Sequence, residues 1–443
     1  MQWYHSSRFS GFFLLLFLMS CSPAKKIMDK NIPPVIVPVP TVNKQLPEAE
    51  NKEDAFFLSL FKSQPALFDS MLANRKNWNV QVIYTQVNRT ATGVPQLKNF
   101  YFNRHQASYF YPASSIKFPV ALLALQKLNE LDKPGLSRNS TMITETDFSG
   151  QTPVYNDPNT EDGKPSITQY IKKLFLVSDN DAYNRLYEFL GQEYVNTALH
   201  RKGFTQTQLL HRLSIFLSEE ENRHTNPVKF FDSSNQLIYT VPGQVNRQTY
   251  AVRNDFIGKG FYSGGQLQNT PMDFSKKNRM ELSDMHQVLI SLIFPAAVKA
   301  SQRFNLTEED RNFVLKYMSQ LPAESVYPYY DSSYYDAYVK FLLYGSEKGT
   351  LPKNIRIFNK VGNAYGQLVD VAYIVDFEKN IEFFVSAAIY CNKDEILNDD
   401  RYDYDSIGFP FMKNLGQVLY NYEAERKKNI IPDLSPFIFK YDK

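Results

Sequence analysis

Hydrophobic and polar residues alternate near both ends of the chain and recur at helical spacing between them. Residues 79–87 (NVQVIYTQV) alternate as a strand does, and residues 97–102 could form their hairpin partner. Residues 369–376 and 381–390 are also strand-like. Apolar residues at helical spacing predict helices over residues 56–72, from Ser114 through FPVALLALQKLNEL, and over 167–191, 283–293, 307–321 and 405–426.

The order of these elements predicts the fold class. Strands come first, then many helices, then strands and a closing helix, which indicates an α+β domain of the broader α/β class. One sheet is expected to form from both chain ends, with a helical lobe between them. Residues 227–280 are the least periodic stretch and are interpreted as an insertion near the lobe boundary, with a strand at 236–241.

The N-terminus predicts export and anchoring. Residues 1–20 combine a weakly basic start with an apolar run too short to span a bilayer comfortably, as a signal peptide does. The tetrapeptide that ends at Cys21 (LMSC) resembles the lipobox of bacterial lipoproteins, whose cysteine is lipidated after cleavage. The Pro-rich residues 21–55 are predicted to be an extended stalk before a domain over 56–443. The expected location is the bacterial cell envelope, with the protein held to a membrane by lipid and its domain in the periplasm or otherwise outside the cytoplasm.

Charge and cysteine content exclude several functions. The chain has 49 Lys and Arg against 46 Asp and Glu, a net charge of +3, which argues against a nucleic-acid partner. Cys21 and Cys391 are the only cysteines and cannot form a disulfide framework. The chain contains no zinc-binding motif and no Gly-rich phosphate loop, so neither a metal nor another cofactor is expected.

Ser114 and Lys117 form the first candidate chemical motif. They lie where a loop should become a helix, and residues three apart share one helix face, so the lysine could reach the serine hydroxyl. Burial would favour the neutral amine that can deprotonate a serine. A serine cap beside a lysine at the surface is the structural alternative.

Two further motifs follow. Ser178-Asp179-Asn180 offers a hydroxyl and an amide where an apolar helix ends or kinks, although a solvated turn could look the same. Lys360-Val361-Gly362 lies in a predicted strand, where a glycine would let a substrate backbone approach closely. The alternative for this motif is an edge strand protected by its lysine.

Together the three motifs resemble the Ser-x-x-Lys, Ser-Asp-Asn and Lys-Thr-Gly signature of the penicillin-recognising serine hydrolases, most closely their class A β-lactamase-like branch. The resemblance extends over about residues 56–426 and implies an antiparallel sheet flanked by helices, an all-helical lobe and a site in the cleft. By this resemblance Ser114 is the acylated nucleophile, Lys117 its base or proton relay, and Ser178 passes the proton toward the leaving group. It further implies that Asn180 contacts the substrate amide, Lys360 adds positive potential, and Gly362 precedes Asn363, whose N–H joins that of Ser114 in the oxyanion hole.

Two departures from the family pattern bear on turnover. Val361 lacks the hydroxyl that normally helps to hold a substrate carboxylate, a hydrogen bond worth about 0.5–1.5 kcal/mol. If Arg212 begins the loop that carries the water-activating glutamate, Ser214 stands at the position of that acid. The nearby run Glu219-Glu220-Glu221 could supply the base instead or be a solvated charge cluster.

The sequence therefore predicts a lipid-anchored serine acyl hydrolase that turns β-lactams over poorly. Its partners would be a small-molecule or peptidoglycan-derived acyl substrate and a membrane. The alternative is a penicillin or peptidoglycan binder that does not turn over or is catalytically silent. In the Tyr-rich segment 326–344, Tyr334, Tyr338 and Phe341 have helical spacing, which favours core packing over sugar stacking.

Overall fold

The structure is a computed structural model that describes residues 55–103 and 109–443. The signal peptide and the lipidation site predicted above lie outside these residues, as does all but the last residue of the stalk. The described residues belong to one compact unit. Its helices are α1 Ala55–Lys62, α2 Pro65–Asn74, α3 Lys117–Leu131, α4 Ile167–Leu176, α5 Asn180–Leu190, α6 Gln192–Arg201, α7 Glu219–Arg223, α8 Leu282–Ile293, α9 Glu308–Ser319, α10 Phe341–Tyr344 and α11 Phe409–Glu425.

The main sheet has five antiparallel strands in the order β12 (Ile355–Ala364), β13 (Gln367–Asp376), β14 (Ile381–Tyr390), β1 (Gln81–Arg89) and β2 (Pro95–Phe102). Strands from the two chain ends are adjacent in it, since Gln81 of β1 pairs with Ala388 of β14. The predicted α+β fold is therefore confirmed. The strands of the unit are β1 Gln81–Arg89, β2 Pro95–Phe102, β3 Thr141–Thr144, β4 His224–Thr225, β5 Val228–Phe231, β6 Leu237–Val241, β7 Gln244–Val245, β8 Phe256–Ile257, β9 Gly260–Ser263, β10 Gln266–Gln268, β11 Met272–Asp273, β12 Ile355–Ala364, β13 Gln367–Asp376, β14 Ile381–Tyr390 and β15 Ile396–Leu397.

Each face of the main sheet carries its own hydrophobic core. The pleat sends alternate side chains to opposite faces. Ile357 and Val361 of β12 join the core with α1, α2 and α11, whereas Phe358 joins the core with the helical lobe of α3, α4, α5, α8 and α9. Because helices pack on both faces, the central strands β13 and β14 are buried on both sides. This burial explains their near-continuous hydrophobic runs.

Several predicted helices are interrupted where local chemistry requires it. The segment 56–72 breaks before Pro65, which begins α2 because a proline is tolerated at a first helical position. The segment 167–191 breaks between α4 and α5. The predicted helix over 307–321 is not interrupted at its start, where Thr307 caps α9 through a reciprocal pair of bonds with Asp310.

The insertion is a set of short strands. β5 pairs with β3 and β6, and β9 pairs with β10 and with the C-terminal β15. These pairings fasten the insertion both to the lobe and to the chain after the main sheet. No helix within residues 55–103 and 109–443 combines the length and the apolar run needed to cross a bilayer.

Candidate active site

Ser114 lies on a short 3-10 turn, Ala113–Ile116, that leads directly into α3. The turn is held by Ser115, whose Oγ donates to Pro112 O at 2.6 Å and whose N–H donates to the same carbonyl. Ser114 is half-buried and lines a cleft of about 470 Å³. Its hydroxyl has no hydrogen-bond partner within the described part of the chain, so it is available to a ligand.

Lys117 is fully buried at the first position of α3. Its Nζ donates to the Ser178 carbonyl, to Asn180 Oδ1 at 2.6 Å and to Ser178 Oγ at 3.3 Å. Burial lowers the pKa of Lys117 to about 7, against the opposing effect of Asp179. Near neutral pH a large share of the amine is therefore unprotonated, which is the form that can accept a proton from a hydroxyl.

The Ser178-Asp179-Asn180 triplet fills the break between α4 and α5. Asp179 has a structural part, since its Oδ1 accepts from Ala182 N at 2.8 Å and caps α5. Ser178 adopts φ 60°, a left-handed conformation that is rare and costly for a residue other than glycine. The reversal brings both Ser178 and Asn180 to the cleft, with Asp179 between them in the sequence.

Lys360 approaches Ser178 from the sheet. Its Nζ donates to Ser178 Oγ at 2.8 Å and to Val361 O at 2.8 Å, so one hydroxyl lies within bonding distance of two lysines. Burial holds the pKa of Lys360 well below its usual range, and the positive charge of Lys117 lowers it further. The two amines can therefore share protons through Ser178, as a relay requires.

Gly362 has a structural role in the packing of β12. A Cβ at this residue would stand 2.7 Å from Pro112 O and 2.9 Å from Ser114 N. The backbone that approaches Gly362 is thus the turn that carries Ser114, and any side chain here would displace it. The glycine allows β12 to pack directly against the turn that carries Ser114.

The structure brings the sequence-predicted site residues together. The cleft is lined by Ser114, Ser178, Asn180, Val361 and Asn363. The buried Lys117 and Lys360 both donate a hydrogen bond to Ser178 Oγ. Lys117 is bonded to Ser178 and Asn180 rather than to Ser114. Within the described residues, no group of three or more His, Cys, Asp or Glu side chains could hold a metal ion.

Ser214 stands at the position where the family resemblance implies a water-activating glutamate. Asn180 Nδ2 donates to Ser214 Oγ at 2.7 Å, which holds this loop residue against the cleft. Arg212 anchors the loop from below: it is buried, pairs with Glu188 of α5 at 2.8 Å and donates to the carbonyls of Glu221 and His224. The loop is therefore held by its own buried ion pair, and the side chain that it presents to Asn180 is the hydroxyl of Ser214.

The three glutamates that might have supplied the base point elsewhere. Glu219 pairs with Lys276 at 2.7 Å, and Glu221 caps α7 through Ser218. Glu220 is exposed, with its Oε1 3.6 Å from His224 Nδ1. None of them lines the cleft. Among the described residues that do, Asp179 has the only carboxylate, and that group caps α5.

The Tyr-rich segment takes its predicted core position only in part, since Phe341 and Tyr338 pack in or against the core and Tyr334 does not. Phe341 is buried as expected, but residues 331–340 contain no regular helix. Tyr334 and Tyr338 are only half-buried and line the cleft with Tyr335, with the rings of Tyr334 and Tyr338 5.0 Å apart. Helical spacing was misleading here because turns placed the rings on one wall without forming a helix.

A buried polar network behind β12 was missed from the sequence. Lys340 Nζ donates to Asn359 Oδ1 at 2.7 Å, and Asn359 Nδ2 donates to Asp370 Oδ1 at 2.8 Å. Asp370 also accepts from Leu342 N at 2.9 Å, and burial raises the pKa of its carboxyl to about 6. The available signal was a charged residue within an apolar run, in AYVKFLLY and in QLVDVAYIVD. The network fastens the cleft wall to the strand that carries Lys360.

Known proteins were compared with the whole chain. The sequence profile of the β-lactamase enzyme family (Beta-lactamase2) matches residues 70–422. No curated protein matches.

The solved structures similar to this one include three β-lactamases. That from Xanthomonas campestris pv. campestris is 13% identical, with 81% of this chain and 98% of the other covered and a TM-score of 0.45. That from Streptomyces albus G is 12% identical, with 81% and 98% covered and a TM-score of 0.45. That from Chitinophaga pinensis is 11% identical, with 82% and 99% covered and a TM-score of 0.44.

The profile match spans most of the chain and includes the turn that carries Ser114, the triplet Ser178-Asp179-Asn180 and β12. Because the match covers far more than half of the sequence, this chain belongs to the β-lactamase enzyme family.

Proposed function

We propose that this protein is a lipid-anchored serine acyl hydrolase of the class A-like branch that works through an ester on Ser114. One observation carries the proposal. Lys117 and Lys360, whose pKa values are lowered by burial, both bond to Ser178 Oγ in the cleft that Ser114 lines. A serine needs a nearby base to become nucleophilic at neutral pH, and a buried lysine can supply one.

The proposed reaction has two halves. In acylation, Ser114 Oγ attacks the substrate carbonyl and its proton passes to neutral Lys117, while the N–H groups of Ser114 and Asn363 bind the oxyanion. Ser178, between Lys117 and Lys360, then relays the proton to the leaving nitrogen or oxygen, and the carbonyl–leaving-group bond breaks. In deacylation, water attacks the Ser114 ester and releases a carboxylic acid.

Deacylation is the step that the site supports least. The side chain held against the cleft by Asn180 is the hydroxyl of Ser214, and Glu219, Glu220 and Glu221 face away. This arrangement supports a second candidate function, a penicillin- or peptidoglycan-binding protein that is acylated and remains so.

We expect purified protein incubated with benzylpenicillin to gain the mass of one whole penicillin and to hydrolyse a chromogenic cephalosporin slowly or undetectably. General-base assistance to water is worth about 10²–10⁴-fold, and the site lacks it for this step. Intact-mass spectrometry and steady-state hydrolysis measure the two halves separately. Turnover in the usual enzyme range of about 1–10³ per second would contradict the prediction and point to another base. A parallel incubation with small esters distinguishes a hydrolase that rejects β-lactams from a silent protein, which would gain no mass from either.

The anchor is proposed separately, from the LMSC motif that ends at Cys21. Cys21→Ser should abolish labelling by a radioactive fatty acid and release the protein from membrane fractions, because the thiol is the atom that accepts the lipid. Cys391→Ser is the matched control, since Cys391 is buried in the folded unit. Membrane association that is unchanged in Cys21→Ser would refute the lipoprotein assignment.

A further inference from the structure

A second cavity, of about 960 Å³, lies beside the catalytic cleft. We call it the insertion groove, because residues 249–256 and 273–277 of the insertion form one wall and loop residues 208–223 form the other. Tyr111 and Tyr365 also line it. It has twice the volume of the cleft that contains Ser114.

The insertion groove adjoins the catalytic cleft. Ser214 lines the groove and bonds to Asn180, which lines the cleft, at 2.7 Å. On the sheet side the chain passes from Asn363 in the cleft to Tyr365 in the groove within two residues. A substrate whose reacting carbonyl lies at Ser114 could therefore extend into the groove without leaving the protein.

The rim of the groove is unusually apolar for a surface. Phe216 and Val252 are fully exposed, and Phe256 is 54% exposed. They come from both walls, Phe216 from the loop and the other two from the insertion. Large apolar side chains grouped at a concave surface are typical of a binding site.

One cation in the groove has no carboxylate partner. Lys276 pairs with Glu219 at 2.7 Å and Arg253 pairs with Asp255 at 3.4 Å. Lys277 forms no ion pair within the described part of the chain, although it is half-buried, with its Nζ 5.6 Å from the centre of the Tyr365 ring.

Burial lowers the pKa of Lys277, and Asp273, whose charge opposes this effect, accepts from Ser275 N instead of pairing with the lysine. Arg253 Nη1 and His211 Nε2, also on groove residues, lack hydrogen-bond partners among the described residues. A partly desolvated cation without an anion is costly, and a ligand carboxylate would offset that cost.

We propose that the insertion groove binds the acyl-donor side of a peptide substrate, with the peptide's apolar side chains against Phe216 and Val252 and an acidic side chain of the peptide on Lys277. A peptide fits better than a plain fatty acyl chain, because the exposed amide of Asn254 and the Arg253 Nη1 that lacks a partner within the described part of the chain line the groove together with the apolar rim. The inference rests on the proposed function, since it assumes that the acyl donor is attached at Ser114.

The first test measures acylation of Ser114 by N-acetyl tetrapeptide thioesters. Glu is moved through the three positions upstream of the reacting residue, and each peptide is compared with its Gln counterpart. At one position the Glu peptide should acylate about 10- to 100-fold more efficiently, the value of a charge-assisted bond. Lys277→Met should abolish this preference, so that the Glu and Gln peptides acylate at equal rates, and Lys277→Arg should restore it. Lys276→Met is the matched control and should keep the preference, since that lysine already pairs with Glu219. Equal rates for Glu and Gln at every position, or a preference that survives in Lys277→Met, would overturn the proposal.

A second measurement separates this proposal from the proposed function. Binding of the corresponding free peptide acids to Ser114→Ala protein is followed by calorimetry, which needs no chemistry at Ser114. A Glu preference that depends on Lys277, together with no acylation of the wild-type protein by any ester, would support the groove as a peptide site and refute the hydrolase. Acylation by small esters without any Glu preference in binding or rate would leave the hydrolase standing and refute the groove.

Discussion

Ser114→Ala is expected to lose all covalent labelling by penicillins, small esters and activated serine probes. Of the Ala113–Ile116 turn, Ser114 is the residue that lines the cleft. Its hydroxyl has no hydrogen-bond partner among the described residues. The substitution removes one oxygen from a half-buried position, so the fold should be retained, with a melting temperature close to that of the wild-type protein. Intact-mass spectrometry after incubation with each reagent is the measurement.

Ser115→Ala is the matched control for Ser114→Ala. Ser115 is adjacent and buried, and its hydroxyl is bonded to Pro112 O and lies 2.9 Å from Met285 Sδ. Its loss should lower the free energy of unfolding by about 1 kcal/mol and leave most of the labelling. An adduct that persists in Ser114→Ala, mapped by peptide sequencing to Ser178 or to another serine, would show that the nucleophile is misassigned.

Lys117→Met is expected to slow acylation by about 10²–10⁴-fold, the usual value of a general base. The wild-type rate should rise with pH through about 7 and level off above it, because burial lowers the pKa of Lys117 to about 7 and only the neutral amine accepts the Ser114 proton. In Lys117→Met the rise near pH 7 should disappear together with most of the rate. Stopped-flow acylation by a chromogenic ester between pH 5 and 9 would follow both effects, over a range of about four pH units that spans this titration.

Lys127 provides the control for the pH profile. It lies on the same helix, burial lowers its pKa to about 8, and its Nζ donates to the carbonyls of Phe189 and Leu190 rather than into the cleft. Lys127→Met should therefore retain the rise near pH 7 and most of the rate. A Lys117→Met protein that keeps the rise would assign the titration to another group. The first alternatives are Lys360, which also bonds to Ser178 Oγ and whose pKa burial lowers, and Lys340, whose pKa burial lowers to about 7.

The position of the site was predictable because its chemistry is local in sequence. Ser114 and Lys117 are three residues apart at a helix start, and Ser178 to Asn180 span a single helix break. Short patterns of this kind survive in the sequence whatever packs around them. The close packing of Gly362 against the turn that carries Ser114 is not local, and the sequence did not predict it.

Properties that arise from non-local packing were not predictable. Asp370 and Lys340 are distant in sequence and are connected through Asn359. The apolar runs around them indicate that each charge is buried, but they do not indicate which residues it contacts. Helical spacing assigned the Tyr334 and Tyr338 rings to the core. Tyr338 does pack against it, but turns place both rings on the cleft wall. Periodicity predicts a buried face only when the segment is regular.

The sequence by itself determined the α+β class, the strands at both chain ends and the three motifs of the site. Hydrophobic periodicity and short polar motifs are written directly in neighbouring residues. Only the tertiary structure decided that Ser178 lies between two lysines, that Ser214 faces Asn180 and that the insertion builds a groove beside the cleft. It also decided the chemistry of Lys117, because the pKa of an amine depends on how completely the rest of the fold removes it from water, and no local pattern encodes that burial.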